Sequence, residues 1–374
     1  MMANVLSLVS YKIFPAKLGG QRGIALFNQY FSTYHKLTCV TIKANDPSMA
    51  PYEMLNILSN SRLRYINFFY FFRLKSLIRR YQITHLIIEH PYYGWLGVVL
   101  KWFCGVRLIV HSHNIEGLRF KSTGKWWWGI LWNYEAFVHR QASFTFCITD
   151  LDRQYMIDKF GIRPSNSTVI TYGIDGEEAP SKNERINARH FLEEKYGILK
   201  KSTIYLFNGT LDYLPNFEAL KNIIDKINPI FIENGMPYKI IICGKNLPVE
   251  MEGLGAFIDK NIIYAGFVDD ISIYFKGADI FINPVTEGGG IKTKLVEALG
   301  YNLNAVSTLN GAIGVSTSIC NGKLLLTKDL DWNDFALKMK DAISINKAIP
   351  GSYFEHFSWK NIAMKAADSL HLSS

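Results

Sequence analysis

Ile280-Phe-Ile-Asn-Pro-Val-Thr-Glu-Gly-Gly-Gly-Ile-Lys-Thr-Lys-Leu-Val-Glu-Ala-Leu-Gly300 decides the reading of this chain. It reads as a short buried strand from Ile280 to Asn283, a triple-glycine turn, and a helix carrying Lys292, Lys294 and Glu297. The turn and the helix start supply free amides, and the lysines supply fixed positive charge. Together they make a cradle for a diphosphate. The order is not the GxxxxGK[ST] of the P-loop, so triphosphate hydrolysis with a Walker lysine is not indicated. Glu297 lies one turn beyond Lys294 on the same helical face, which leaves an ion pair as the plain alternative to a ligand-binding role.

Outward from this stretch, short apolar runs alternate with longer helical patterns. That alternation argues for parallel sheets built from βαβ units. In the first half the runs are Val5 to Val9, Cys39 to Ile42, His85 to Glu89, Arg107 to His111, Ser143 to Thr149 and Ser167 to Tyr172. In the second they are Ser202 to Phe207, Tyr238 to Cys243, Asn261 to Tyr264, Ile280 to Asn283, Asn304 to Ser307 and Lys323 to Leu326. A length of 374 residues fits two domains of roughly 100 to 200 residues each. The fold class expected is α/β, with two Rossmann-like doubly wound domains. The polar stretch GIDGEEAPSKNE separates them, with a helix expected from Ala188 to Tyr196. The boundary is placed near residue 180, giving domains 1–180 and 181–350. The stretch FSWKNIAMKAADSL reads as a closing helix within 351–374.

Composition narrows the class. With 48% hydrophobic and 20% charged residues, disordered and fibrous classes are excluded. The net charge of +9 is uneven: residues 1–175 carry +11 and the remainder −2. Six of the eight tryptophans also fall in the first half. Arg62 to Arg80 mixes basic and aromatic residues, which an amphipathic helix covering a sheet explains. Together with Lys125-Trp-Trp-Trp128 it also suits an anionic membrane surface. No nucleic-acid-binding motif is present, so nucleic acid is not expected as a partner. Five scattered cysteines without a CxxC pair fit a reducing compartment. The opening residues lack the basic leader of a signal peptide, and no run reaches the roughly 20 apolar residues of a spanning helix. A cytoplasmic location follows, with attachment at the inner membrane face as an open extension.

Ligands of open parallel sheets bind past the carboxyl ends of strands, so the residues just after each apolar run are the candidates. Lys17-Leu-Gly-Gly-Gln-Arg-Gly23 is a glycine-bearing turn opening into a helix from Ile24 to Phe31. Its amides could approach an anion, and a plain tight turn is the alternative. His111-Ser-His-Asn-Ile-Glu116 places two imidazoles and a carboxylate after a strand. A metal is disfavoured there because no third ligand lies nearby in sequence. A solvated turn and a catalytic or substrate-orienting role remain.

The Gly-rich loop running into Glu297-Ala-Leu-Gly300 resembles the donor-site signature of retaining GT-B glycosyltransferases, particularly glycosyltransferase family 4. Supporting resemblances follow in order along the chain: Gly19-Gly20, His113-Asn114, Tyr172-Gly-Ile-Asp175, Phe207-Asn-Gly-Thr-Leu-Asp212, Gly266-Phe-Val268, Ser307-Thr308 with Gly311, and Phe357-Ser-Trp359. The resemblance implies the GT-B arrangement, with two domains facing a cleft and the C-terminal helix packing back toward the first domain. It also implies roles for named residues. Glu297 would hold the donor ribose hydroxyls. Lys292 and Lys294, with Gly288, Gly289 and Gly290, would balance the departing diphosphate. Phe267 and Val268 would bracket the base, His113 would sit by the donor sugar, and Gly19 and Gly20 would approach the phosphates. Three departures stand out. Asn302 replaces a family glycine. Gly289 stands where the family has Glu, with Glu287 the nearest substitute. Gly209-Thr-Leu-Asp-Tyr-Leu-Pro215 lacks the Arg and Lys usual after the second domain's first strand.

The function so implied is hexosyl-type transfer with retention, from a nucleoside-diphosphate sugar to a saccharide or lipid-linked acceptor, in cell-surface polysaccharide or glycolipid assembly. Neither metal nor cofactor is expected. The rivals are a GT-B sugar-nucleotide epimerase and a non-catalytic sugar-nucleotide or membrane-binding protein.

Overall fold

The computed structural model describes residues 2–16, 19–233 and 235–372. The chain divides into two compact units. The first runs up to Gly173 and includes residues 289–291 and the stretch from Phe357 onward; the second is Ile174–Gly288 with Lys292–His356.

Among the described residues the first unit has seven parallel strands: β1 (Asn4–Val9), β2 (Lys36–Ile42), β3 (Glu53–Leu58), β4 (His85–Glu89), β5 (Arg107–Ser112), β6 (Phe144–Cys147) and β7 (Ser167–Val169). Their spatial order is β3-β2-β1-β4-β5-β6-β7. Between them run α1 (Gly19–Phe31), α2 (Phe69–Arg80), α3 (Gly94–Cys104), α4 (Glu116–Ser122), α5 (Trp128–Gln141) and α6 (Asp150–Tyr155). Helices cover the sheet on both faces, so β4 is buried along its whole length and reads as an unbroken run rather than an alternation. The strand order reverses at the β1–β4 pair, which puts the binding crevice beyond the carboxyl ends of those strands.

Strand β3 was not expected from sequence. It is an edge strand paired, among the described residues, with β2 alone, through a register shift between Val40 and Ile42, and its burial is partial. A half-exposed Glu-Met-Leu-Asn-Ile-Leu with no clean period gives little signal. Helix α1 begins at Gly19, earlier than expected, so Gly19 and Gly20 form its first turn. Lys17 and Leu18 lie outside the described residues.

The second unit holds α7 (Lys182–Tyr196), β8 (Thr203–Asn208), α8 (Leu214–Asn222), α9 (Asn228–Ile232), β9 (Tyr238–Cys243), β10 (Ile262–Gly266), α10 (Ile271–Gly277), β11 (Ile280–Asn283), α11 (Thr293–Gly300), β12 (Asn304–Thr308), β13 (Leu324–Thr327), α12 (Trp332–Asp341) and α13 (Gly351–Phe357), the last ending just inside the first unit. Its six strands are parallel in the order β10-β9-β8-β11-β12-β13, and the switch point lies past β8 and β11. Helix α7 starts within the stretch read as linker. Ser181 accepts from the Glu184 amide while the Glu184 carboxylate accepts from the Ser181 amide, a reciprocal cap that fixes the start. Asn302, in place of the family glycine, has φ +63° just past α11, and its Oδ1 accepts the Ile349 amide at 2.9 Å. Asparagine tolerates that left-handed backbone better than other side chains.

The last helix, α14 (Trp359–Leu372), belongs to the first unit and packs on α1. Trp359, Ile362, Ala363, Ala366 and Leu370 join one apolar cluster with Val5, Phe27 and Phe31, as expected for a helix returning to the first domain. Trp359 meets the Tyr172 ring edge-on at 5.2 Å. A Cβ on Gly173 would lie 2.5 Å from the Trp359 indole, so only glycine fits beneath it. Gly173→Ala is therefore expected to cost about 1–3 kcal/mol by overpacking. A lowered thermal midpoint, measured by calorimetry, would show it; an unchanged midpoint would mean the indole moves freely.

Candidate active site

The first unit gathers its titratable groups past β4 and β5. Parallel register sets Glu89, at the end of β4, beside His111 on β5, and His113 follows two residues later. The fully buried Glu89 carboxylate receives both rings: His111 Nδ1 lies 3.0 Å and His113 Nε2 2.7 Å from its Oε2. Burial alone would raise the Glu89 pKa, but the two imidazoles and their hydrogen bonds outweigh it and hold the carboxyl well below its ordinary range. Burial lowers the pKa of both imidazoles, and for His113 the neighbouring His90 adds to this. The ground state is thus one carboxylate and two neutral rings, each donating an N–H to it. For His113 that choice leaves Nδ1 with its lone pair.

Glu89 is the third group that sequence reading found missing beside His111 and His113, and it comes from the neighbouring strand. The three ligand atoms lie within 4.8 Å of one another and could hold a cation. Their separations are also ordinary hydrogen-bond distances, so two shared protons satisfy the same atoms.

A second layer backs His113. The His90 ring lies 4.5 Å from it, pairs through Nδ1 with Glu116 at 3.1 Å, and meets the Tyr11 hydroxyl through Nε2 at 3.1 Å. Glu116 also accepts from the Tyr92 hydroxyl at 2.7 Å and from Arg119 at 2.6 and 2.8 Å. His90 has φ +65°, a conformation that non-glycine residues adopt at a cost and that recurs at binding sites. Only Glu116 of this layer stood out in sequence. Glu89 and His90 carried a signal nonetheless, as polar residues closing an apolar strand.

In the second unit, Lys292 is the N-cap of α11 and its ammonium donates to the Gly288 carbonyl at 2.8 Å. Lys294 points to the end of β8. Its ammonium donates to Asn216 Oδ1 at 3.0 Å and sits 4.3 Å over the Phe207 ring. Asn216 is held in turn through its amide to the Thr210 carbonyl, and a Cβ on Gly209 would run into it at 2.7 Å. A lysine from α11 thus brings charge to the same strand end whose following loop lacks the basic pair. Burial first, and the Lys292 charge second, bring the Lys294 pKa down to about 7. Around it, Asn283 at the end of β11 ties Ser307 and the Gly311 carbonyl, and the Thr308 hydroxyl donates to the Val285 carbonyl, fixing the loop base.

The remaining candidates fall as follows. Gly288 and Gly290 have φ of +90° and +70°, which explains glycine at both. Residues 289–291 cluster with the first unit, where a Cβ on Gly290 would lie 2.3 Å from Asn114 Oδ1. Glu287 is exposed, Glu297 is half-buried on α11, and Phe267 and Val268 follow β10 with the Phe267 ring 53% exposed. A Cβ on Gly20 would meet nothing within 4 Å, so packing does not require glycine there.

The profile described as Glycosyltransferase Family 4 matches residues 33–178, and that described as Glycosyl transferases group 1 matches residues 202–344. A Klebsiella pneumoniae protein described as an uncharacterized 44.6 kDa protein in the cps region is 30% identical over 152 residues; the match spans 39% of this chain and 38% of that protein. Sucrose-phosphate synthase from Thermosynechococcus elongatus shares the fold with a TM-score of 0.76 at 15% identity, covering 98% of both chains. Anabaena HepE, solved with UDP-glucose, matches with a TM-score of 0.65 at 15% identity over 98% of this chain and 97% of that one. The first half matches one glycosyltransferase family model and the second half another, and the two parallel sheets match the architecture of these neighbours; the chain has the GT-B fold of glycosyltransferases.

Proposed function

We propose that the chain moves a hexosyl group from a nucleoside-diphosphate sugar to an acceptor hydroxyl with retention of configuration, in assembly of a cell-surface polysaccharide or glycolipid. The observation that carries this reading is Lys294, whose ammonium is held at the end of β8 by Asn216 Oδ1 and the Phe207 face, beside Lys292 at the start of α11. Such a group offers a departing diphosphate a proton or a full charge in a site that already excludes much water. In this reading Gly288 to Gly290 supply amides to the diphosphate, Glu297 holds the ribose diol, and Phe267 and Val268 border the base. Glu287 and the first turn of α1, with Gly19 and Gly20, border the phosphates. His113, its tautomer set by Glu89, presents Nδ1 to the donor sugar. The diphosphate oxygen takes the acceptor proton as the acceptor attacks on the face the leaving group vacates. HepE was solved with UDP-glucose and the Klebsiella relative is described as lying in a cps region, which supports a sugar nucleotide and a surface glycan.

No metal enters the scheme, since lysines and amides can carry the charge. The test is a thermal-shift panel of nucleoside diphosphates and their sugars, with and without a chelator, on the native chain and on Glu297→Ala. One nucleotide at a hundredfold excess over its Kd should add about 2.7 kcal/mol of stability, unaffected by chelator and lost in the variant. Stabilisation that vanishes with chelator would point to Glu89, His111 and His113 as a cation site. No stabilisation by any nucleotide would sink the donor reading. Incubation with the stabilising sugar nucleotide should then give a glycosylated product of unchanged anomeric configuration.

A further inference from the structure

The sequence between Glu53 and Glu116 contains eight basic residues and one acidic residue, and that one, Glu89, is buried beneath His111 and His113. The surface this segment forms is therefore strongly basic, with the exposed Glu53 beside Tyr81 at its edge. It is also apolar where a water-facing surface should be polar. Helix α2 buries one stripe, Tyr70, Leu74 and Ile78, against the sheet. On its outer side Phe69 is 80% and Phe72 67% exposed, with Phe68 just before it at 71%. The expectation of an ordinary sheet-covering helix accounts for the first stripe and not for the second. Helix α3 continues the same surface: Phe103, 68% exposed, meets Phe71 at 5.7 Å, and Trp102 beside it is 62% exposed. Arg73, Arg79 and Arg80, all exposed, stand on α2 with these rings.

We infer that the outer surface of α2 and α3 docks on a bilayer containing anionic lipid. Exposed phenylalanines gain by entering the acyl boundary, the tryptophan suits the headgroup level, and arginines and lysines flanking the rings meet the lipid phosphates. Charge complementarity selects this occupant over a second copy of the chain, since apposing two such surfaces would bring like charges together. No helix among the described residues is long and apolar enough to cross a membrane, so contact by this face is attachment rather than insertion. The inference stands apart from the sugar-transfer reading, because vesicle binding requires no turnover.

The test is co-sedimentation of the full chain with vesicles of phosphatidylcholine alone and of equal parts phosphatidylcholine and phosphatidylglycerol. Partitioning onto the anionic vesicles should exceed that onto neutral ones by about tenfold or more, and should fall when salt is raised to 1 M, where screening shortens to about 3 Å. The combined variant Phe69→Ser, Phe72→Ser, Trp102→Ser should lose about tenfold in partitioning while keeping its circular dichroism and thermal midpoint. Arg73→Glu with Arg79→Glu should abolish the lipid preference, as an independent variant that leaves the apolar rings in place. Equal partitioning onto both vesicle types, or serine variants that bind as well as the native chain, would overturn the inference. So would a native dimer that the serine substitutions dissociate in sedimentation without any vesicle binding, since the face would then join two copies.

Discussion

Lys294→Ala is expected to lower kcat/KM for the sugar nucleotide by about 10²–10³, the usual loss when one preorganised donor to a developing anion is removed. The argument rests on where the ammonium sits. Asn216 Oδ1 and the Phe207 face hold it at the end of β8, and Lys292 stands two residues away at the helix start. Methionine at 294 should fill the space without the charge and show nearly the same loss, which separates charge from packing. The pH dependence follows from the depressed pKa near 7, caused first by burial and then by Lys292. An unfolded lysine binds its proton up to about 10.4, so between about 7 and 10 the unfolded chain holds more protons and Lys294 makes the fold more stable as pH rises. Donor binding runs the other way. The diphosphate favours the charged lysine, so binding above pH 7 takes up a proton and weakens by up to about tenfold per unit. Calorimetry in buffers of different ionisation enthalpy should record that uptake in the native chain and not in Lys294→Met. Equal proton uptake in both would place the titrating group elsewhere.

His113→Ala is expected to lower kcat by about 10²–10⁴ with a smaller change in donor affinity. The more informative substitution is Glu89→Gln, which keeps the shape and removes the charge. In the native chain the carboxylate accepts both His111 Nδ1–H and His113 Nε2–H, so it fixes which nitrogen of each ring keeps its lone pair. A glutamine there offers one acceptor and one donor, so one ring must turn over its tautomer. We expect kcat to fall by about tenfold or more, with the alkaline and acid limbs of its pH profile displaced, because the imidazoles lose the neighbour that favours their charged form. If Glu89→Gln behaves as the native chain at every pH while His113→Ala is inactive, Glu89 serves packing alone. Glu89 acts through His113 in this account, as a positioning residue.

What the sequence showed and hid follows from how far apart the partners lie. Strands such as Tyr238–Cys243 and His85–Glu89 are buried on both faces, so each writes itself as an apolar run and its position is legible to the residue. Strand β3, half-wet at an edge, leaves no such mark. The start of α7 was legible in principle, since Ser181 and Glu184 have capping-box spacing, but the polar residues before them read as linker. At the site, the lysines and glycines around α11 were visible because they are contiguous. Glu89 and Asn216 were not, because their partners lie 22 or more residues away and only sheet register or helix packing brings them together. The premise that no third ligand lies near His111 and His113 is overturned at that point, since parallel pairing supplies Glu89 from alongside.

Helix α14 has a consequence for the order in which the protein can be made. The cluster that seats Phe27 and Phe31 is completed by Trp359, Ile362 and Leu370. During synthesis the first unit leaves the ribosome through Gly173, yet the segment that covers its apolar side emerges roughly 10–40 s later at 5–20 residues per second. Throughout that interval α1 presents bare aromatic surface to water, an invitation to chaperones and to premature association. A gene cut at the unit boundary would make that exposure permanent, so the first unit should be recoverable in folded form only when the α14 segment is supplied, in cis or as a separate peptide.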